Sequence, residues 1–323
     1  MAESTLSTSR SEILQAVGDY FEFGRNQHVW SREETAKVTR VIRSGERQFY
    51  EPPPLGNQQP HSWSFMRPRF SQILSAPYST GTVAVSSGVV TLSAGTFPTW
   101  AADGWLVVDG AGYTVSVRTD STHVTLDDTA VTVGSGASYS IQRYQYTLPD
   151  DFGGFIDPYL SFSAASNKYS SVLFTTVPEF TRQRQFEPFA ANVQPTIFTV
   201  QPVSSTGSDG QRFMLQLFPT PTVAATLEGT YYSTPSATTD SLPYPLGGQP
   251  HSETYMAAIM AAAEFEKNKK RGDLYAYFLE RLATSIAHEK KTGAKILGYN
   301  GDGLDDVVPF ERSGAPTYNG VAL

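Results

Sequence analysis

Five histidines, His28, His61, His123, His251 and His288, and a complete absence of cysteine limit the chemistry available to these 323 residues. Without cysteine there are no disulfides, thiolate metal sites or thiol nucleophiles, which fits assembly in a reducing cytoplasm. The histidines are scattered. None has the spacing that lets two imidazoles on one helix face hold a zinc ion, so they read as surface or satisfied core residues. No G-x-S-x-G elbow presents a serine, and no P-loop or G-x-G-x-x-G turn is present to cradle phosphate. Gln-Pro-His-Ser occurs twice, at Gln59–Ser62 and Gln249–Ser252. Four residues are too few for a repeat, and Ser252 reads as a helix cap.

Acidic clusters offer the next candidates. Asp150 and Asp151 are paired carboxylates able in principle to bind a cation or share a proton. Following Leu148-Pro149, they read instead as an Asx-type turn or a cap. The stretch Asn300-Gly301-Asp302-Gly303-Leu304-Asp305-Asp306, with Glu311 twelfth from Asn300, has the length of an EF-hand loop. Leu304 stands where a ligand belongs and Asp305 where glycine belongs, so a solvated acidic loop is the better reading. Lys267, Lys269, Lys270 and Arg271 form a basic run at a helix end, where cations complement the macrodipole. No catalytic, cofactor-binding or metal-ligating residue is assigned, no cofactor is implied, and no enzyme is expected.

Composition points the same way. A net charge of −7 and a pI near 5.3 argue against general attraction to DNA phosphates. Charged residues make up only 17% of the chain and aromatics 12%, so Ser, Thr, Gln and Asn must supply much of the polar surface. Such a surface suits broad protein contacts. Met1-Ala2-Glu3-Ser4-Thr5 lacks the basic start and apolar run of a signal peptide, and no stretch reaches the length of a membrane span. The expectation is a soluble chain.

The elements that must position these residues can be read in order. Ser9-Arg10-Ser11-Glu12 and Ser31-Arg32-Glu33-Glu34 are capping boxes. The first opens a helix carrying Ile13, Leu14, Val17, Tyr20 and Phe21, with Gly24 able to stop it. The second opens a helix carrying Val38, Val41 and Ile42 before Gly45, with Trp30 placed as a hydrophobic staple. Phe49 to Pro60 is proline-rich and excludes regular helix. Trp63 and Phe65 alternate as in a strand.

Between Pro77 and Tyr146 there is neither lysine nor glutamate. Strands are expected at Thr82–Val85, Val89–Leu92, Trp105–Val108, Tyr113–Val117, His123–Leu126 and Tyr139–Ile141, with turns at Ser86-Ser87-Gly88, Asp109-Gly110-Ala111-Gly112 and Gly134-Ser135-Gly136. Six short strands imply a small β-barrel or β-sandwich module inserted into another domain. Val177-Pro178-Glu179 reads as a first helical turn. Arg212–Phe218 and Ala224–Tyr232 read as a hairpin across Pro219-Thr220-Pro221. A helical region from Ser252 to Lys291, interrupted near Arg271-Gly272-Asp273, places Leu274, Phe278, Leu282 and Ile286 on one stripe.

The expected architecture is α+β: a helical bundle body with a small β-sheet and the inserted module. Residues 1–76 and 147–292 would form the body and 77–146 the insert. Residues 293–323, rich in Gly and Pro, would form an extended C-terminal arm with no core of its own.

Several stretches resemble the head-to-tail connector, or adaptor, proteins of tailed bacteriophages, including the tail tubular protein A type. These are Ser44-Gly45-Glu46-Arg47-Gln48-Phe49-Tyr50-Glu51-Pro52-Pro53, Trp63-Ser64-Phe65-Met66-Arg67-Pro68, Tyr146-Thr147-Leu148-Pro149-Asp150-Asp151-Phe152, and Leu217-Phe218-Pro219-Thr220-Pro221 leading to Leu227-Glu228-Gly229-Thr230-Tyr231-Tyr232. The long terminal helices follow in the order such adaptors show. The resemblance implies a structural virion protein, assembled in the host cytoplasm and located at the head-tail junction. It would form a ring, usually dodecameric, beneath the portal. Helices would build the ring wall around a channel that passes viral DNA without specific binding. One end would meet the portal protein and the other the tail tube, nozzle or neck proteins, with fibre proteins as candidate partners of the β module. The same resemblance implies that the C-terminal segment docks on the portal, which gives Ile296, Leu297, Tyr299, Val307, Val308 and Phe310 a role as portal contacts. The alternative is a tail-associated carbohydrate-binding protein for host recognition, with Trp100, Trp105 and Tyr113 of the β module as stacking faces.

Overall fold

The computed structural model describes residues 3–57, 59–163, 170–187, 190–203, 210–292, 317–318 and 321–322. Its α-helices are α1 (Arg10–Tyr20), α2 (Arg32–Tyr50), α3 (Val177–Phe186), α4 (Ser252–Asn268) and α5 (Asp273–Thr292). The chain divides into two units. Met1–Met66 with Pro235–Leu323 forms the first, and Arg67–Thr234 the second.

In the first unit both capping boxes are made. Ser9 Oγ accepts the Glu12 N–H while a Glu12 carboxylate oxygen accepts the Ser9 N–H at 2.7 Å. Ser31 and Glu34 repeat the exchange, with Glu34 accepting the Ser31 N–H at 2.6 Å. Each pairing satisfies amide donors that a helix start leaves orphaned. The indole of Trp30 lies against Gly18 and Phe23, and its Nε1–H donates to the Gly24 carbonyl at 3.0 Å.

Gly45 does not end the second helix, because α2 runs on to Tyr50. A Cβ at position 45 would meet the Ile259 Cα of α4 at 2.4 Å, so this glycine permits close approach of two helices. Ser64–Met66 is a turn of 3-10 helix rather than a strand. The adjacent Trp63 is fully buried, with its Nε1–H donating to the Phe49 carbonyl at 2.7 Å, so its apolar spacing reflects one anchored ring rather than a pleat. Ser252 is the first residue of α4 and not its cap. Its hydroxyl donates to the Gly248 carbonyl at 3.2 Å and accepts the Thr8 N–H at 3.1 Å.

Helices α1, α2, α4 and α5 share one core. It contains Ile13, Leu14 and Val17 of α1, Val38, Val41, Ile42 and Phe49 of α2, Tyr255 and Ile259 of α4, and Phe278, Leu282 and Ile286 of α5. Leu274, at the start of the expected α5 stripe, is half-buried. Glu264 joins the last two helices: its carboxylate accepts the N–H groups of Gly272 at 2.9 Å and Tyr275 at 3.1 Å, placing negative charge at the N-terminus of α5.

The second unit holds seventeen strands among its described residues: β1 (Arg69–Leu74), β2 (Val83–Ser86), β3 (Val89–Leu92), β4 (Gly104–Val108), β5 (Ala111–Arg118), β6 (His123–Leu126), β7 (Val133–Ala137), β8 (Tyr139–Arg143), β9 (Gln145–Thr147), β10 (Phe152–Phe155), β11 (Tyr159–Phe162), β12 (Val172–Phe174), β13 (Ala191–Asn192), β14 (Ile197–Val203), β15 (Arg212–Phe218), β16 (Thr220–Pro221) and β17 (Ala225–Ser233). Seven of them form a sheet in the order β7-β2-β3-β6-β5-β4-β8. Alternate residues such as Val83 and Val85, Val90 and Leu92, Leu106 and Val108, Val124 and Leu126, and Tyr139 and Ile141 enter one cluster with Phe97, so the sheet curls around its own core. The turns between β2 and β3 and between β4 and β5 have positive φ at both central residues, Ser87-Gly88 and Asp109-Gly110, which matches the twist of a two-residue hairpin. Gly134-Ser135-Gly136, expected as a turn, lies within β7, in the irregular stretch between Val133, which pairs with Val85, and Ala137, which pairs with Val83.

The larger sheet runs β1-β17-β11-β12-β14-β15-β9, with β10 also paired to β17. β12 and β14 are parallel, and α3 supplies the crossover that such a connection needs. The expected hairpin of β15 with β17 is not formed. β15 pairs with β14 and β9, whereas β17 lies between β1 and β11. Alternating apolar residues identified both strands but carry no information about which neighbour each one meets. The assembly is α+β, with two β modules besides its helices.

Candidate functional site

Three of the five histidines come together in the first unit. His61 pairs with Glu289 of α5, whose other carboxylate oxygen accepts the Ser64 N–H at 2.6 Å. His251 Nδ1 lies 2.6 Å from Ser285 Oγ, and its ring is 6.3 Å from that of His288. Trp63 stands between the two Gln-Pro-His-Ser copies, with His61 edge-on at 4.8 Å and His251 at 5.1 Å. The short motif is thus a pair of imidazoles flanking one indole, which spacing along the chain could not show. Burial holds His251 below the ordinary histidine value, opposed by Glu289 and reinforced by His288 and His61. Burial acts to raise Glu289, but hydrogen bonds from His61 and Ser64 outweigh it and leave this carboxyl below its usual range.

A serine beside a histidine suggests a nucleophile and its base. Ser285 and His251 are both buried, so no substrate reaches the hydroxyl. No cluster able to hold a metal ion occurs among the described residues. The arrangement ties the loop before Met66 to α4 and α5.

A second buried acid fixes the segment that leads into α4. Glu46 projects from α2, and one of its oxygens accepts the Thr238 N–H at 2.9 Å, the Thr238 hydroxyl at 2.7 Å and the Tyr255 hydroxyl at 2.8 Å. Its other oxygen is buried without a partner among the described residues. The Leu246 N–H donates to the Tyr50 hydroxyl at 3.1 Å, and the Arg10 N–H to the Pro243 carbonyl at 2.8 Å. Burial pushes Tyr50 up to about 12. The segment therefore forms a strap fastened to α1 and α2, with Leu242, Tyr244 and Leu246 on its exposed side. Glu46 and Glu289 were missed as polar anchors. The available signal was an acid on a buried helical stripe: Val38, Ile42 and Phe49 around Glu46, and Leu282 and Ile286 before Glu289.

Asp151 accepts the hydroxyls of Tyr231 at 2.9 Å and Ser233 at 2.7 Å, while Asp150 pairs with Arg212 at 3.1 Å, so the two carboxylates serve separate partners beside a turn closed by the Phe152 N–H on the Pro149 carbonyl. Lys267 bonds the Tyr20 carbonyl and Glu22, Lys269 pairs with Glu266, and Arg271 lies over the Tyr275 ring. His123 pairs with Asp120, whose carboxyl is lowered to about 2, chiefly by the Thr122 N–H. His28 is exposed.

The three aromatic rings considered as sugar platforms are engaged. Trp105 stacks on Tyr144 at 4.5 Å with the Arg184 guanidinium 4.3 Å from its centroid, and Trp100 and Tyr113 pack against the module core. Ile296, Leu297, Tyr299, Val307, Val308, Phe310 and the Asn300–Glu311 loop lie outside the described residues.

Residues 8–296 match the family model described as SU10 adaptor protein, a match that spans parts of both units. No curated protein matches the chain.

Proposed function

The chain belongs to the SU10 adaptor protein family of bacteriophages, and from that premise we propose that it forms a ring, dodecameric in number, between the portal and the tail tube or nozzle. A structural role in the virion follows from the family, as does connection to portal and tail components. In the fuller reading the helices form the ring wall at the head-tail junction, and the acidic chain lines a channel through which DNA passes without being gripped. Low affinity for phosphate is what passage requires, because each neutralised phosphate adds to binding. The seven-stranded module faces outward, where neck or fibre proteins meet it. The observation that supports the reading most is the extent of the family match, from residue 8 to residue 296.

The C-terminal arm is the portal contact in this proposal, through Ile296, Leu297, Tyr299, Val307, Val308 and Phe310. Deleting Gly293 to Leu323 is expected to leave a folded subunit with weakened co-assembly with portal, measured by co-sedimentation. Unchanged co-assembly would remove the arm from the proposal. Electron microscopy of the purified protein with portal, viewed down the particle axis, tests the ring itself. A chain that stays monomeric with portal present would overturn it.

A further inference from the structure

We infer that the strap Leu242–Leu246 is the surface by which one copy of the chain docks on the next, and that it meets the outer face of α5 in that neighbour. The inference rests on the ring proposed above and specifies its contact.

The strap is an unusual surface. Leu242, Tyr244 and Leu246 are 58%, 44% and 45% exposed, while Pro243 and Pro245 between them turn toward the helices. Exposure alternates along the strap and leaves an outward ridge of two leucines and a tyrosine. The ridge is also held in place. Arg10 and Tyr50 hold the backbone of the strap itself, and Glu46 fixes Thr238 just upstream. Two prolines restrict the chain between these points. A surface already ordered loses little conformational freedom on association.

The partner follows from where the strap lies. On α4, Tyr255 and Ile259 face α2, with Phe49 5.3 Å from the Tyr255 ring and position 45 against Ile259. Thr254 and Glu264 of the same helix instead contact α5 and its first turn. At 100° per residue these two sets lie on nearly opposite sides of α4. The strap is fastened on the α2 side, and the outer face of α5 is on the other. That outer face exposes Tyr277 at 48% together with Ala276, Ala283 and Ala287, small residues on either side of exposed Glu280 that leave room for large side chains.

The charges are complementary. Exposed Lys270, Arg271, Lys290 and Lys291 flank α5, against Asp273 and Glu280. Asp240, paired with Arg10 at 3.2 Å yet with its side chain 95% exposed, stands just before the strap, and exposed Glu12, which caps Ser9, lies on the first turn of α1. Two different patches on opposite sides make a heterologous contact, which repeats around an axis until it closes. A patch that met itself would stop at a dimer.

The test uses the full chain and native mass measurement. One variant, L242S/Y244S/L246S, alters the ridge. Another, A283R, places a bulky charge on the outer face of α5. Both change exposed positions, so circular dichroism and the unfolding temperature are expected to match the wild type. Each variant alone is expected to lose assembly by on the order of 100-fold or more, as for truncation of interface anchors. L242M/L246M, which preserves apolar volume, should retain the ring. Mixing the two disrupted variants should restore a single contact, giving a one-to-one dimer and nothing larger. A full-mass ring from the ridge variant, or a mixture that yields no dimer, would overturn the docking while leaving the ring intact. A wild type that never assembles, with or without portal, would overturn the ring and the docking together.

Discussion

Buried acids and histidines carry much of the specificity of the helical unit. Glu46 and Glu289 are tolerated in an apolar core because donors are already in place: Thr238 and Tyr255 around one, His61 and Ser64 around the other. The second group gives the unit a pH dependence whose sign can be worked out. Burial lowers His251 below its ordinary 6.5, so between the folded and unfolded values the unfolded chain binds more protons. Stability is then full above about 6.5 and falls as the pH drops through that window. Glu289, lowered from 4.5, adds a second loss that begins as the pH falls below about 4.5 and is complete once its depressed value has been passed. The unfolding temperature of the protein should therefore fall on acidification from neutral pH, in advance of general carboxylate titration. His251→Gln removes the first component and is expected to flatten that part of the profile, leaving the acidic limb intact. An unchanged slope in H251Q between neutral and mildly acidic pH would assign the effect elsewhere.

The starts of α1 and α2 were legible to the residue, because a capping box is a local reaction between side chain and backbone: Ser9 with Glu12 and Ser31 with Glu34 are made as the spacing implies. The interruption between α4 and α5 was legible too, and the hairpin turns at Ser87-Gly88 and Asp109-Gly110 were marked by residues suited to positive φ. What depended on a distant partner was not. Gly45 looked like a stop and is a contact, β15 and β17 looked like a hairpin and lie apart, and the histidines looked scattered until folding gathered His61, His251 and His288 around Trp63 and Glu289. Gly45 allows a direct test of element packing. Alanine there would gain about 1 kcal/mol of helix propensity if nothing else changed. Its Cβ, however, would stand 2.4 Å from the Ile259 Cα, a backbone atom that cannot rotate aside. Overpacking of this kind costs roughly 1–3 kcal/mol, and more where backbone must move. G45A is therefore expected to be less stable than wild type in urea unfolding, and G45V less stable still. A G45A protein as stable as its parent would mean that α2 and α4 are free to separate.

The order of the units along the chain makes a prediction about the whole molecule. The second unit begins and ends in neighbouring strands: Arg69 of β1 faces Thr230 of β17 in antiparallel register. Partners in such a ladder have Cα atoms only about 4.5–5.5 Å apart. Its two chain ends are therefore close, as the tolerance of compact domains for insertion requires. Each unit also has cores built from its own residues, around Val41, Tyr255 and Leu282 in the first and around Val124 and Leu215 in the second. Arg67–Thr234 expressed alone is then expected to unfold cooperatively with a β-rich circular dichroism spectrum. Met66 joined to Pro235 by about four Gly-Ser residues, a length that spans such a gap, should give a cooperative helical protein. The strap and α5 both belong to the helical unit, so this shortened chain should still assemble to the stoichiometry of the full one. Loss of assembly in a shortened chain that remains folded would show that strands of the second unit contribute to the contact between copies.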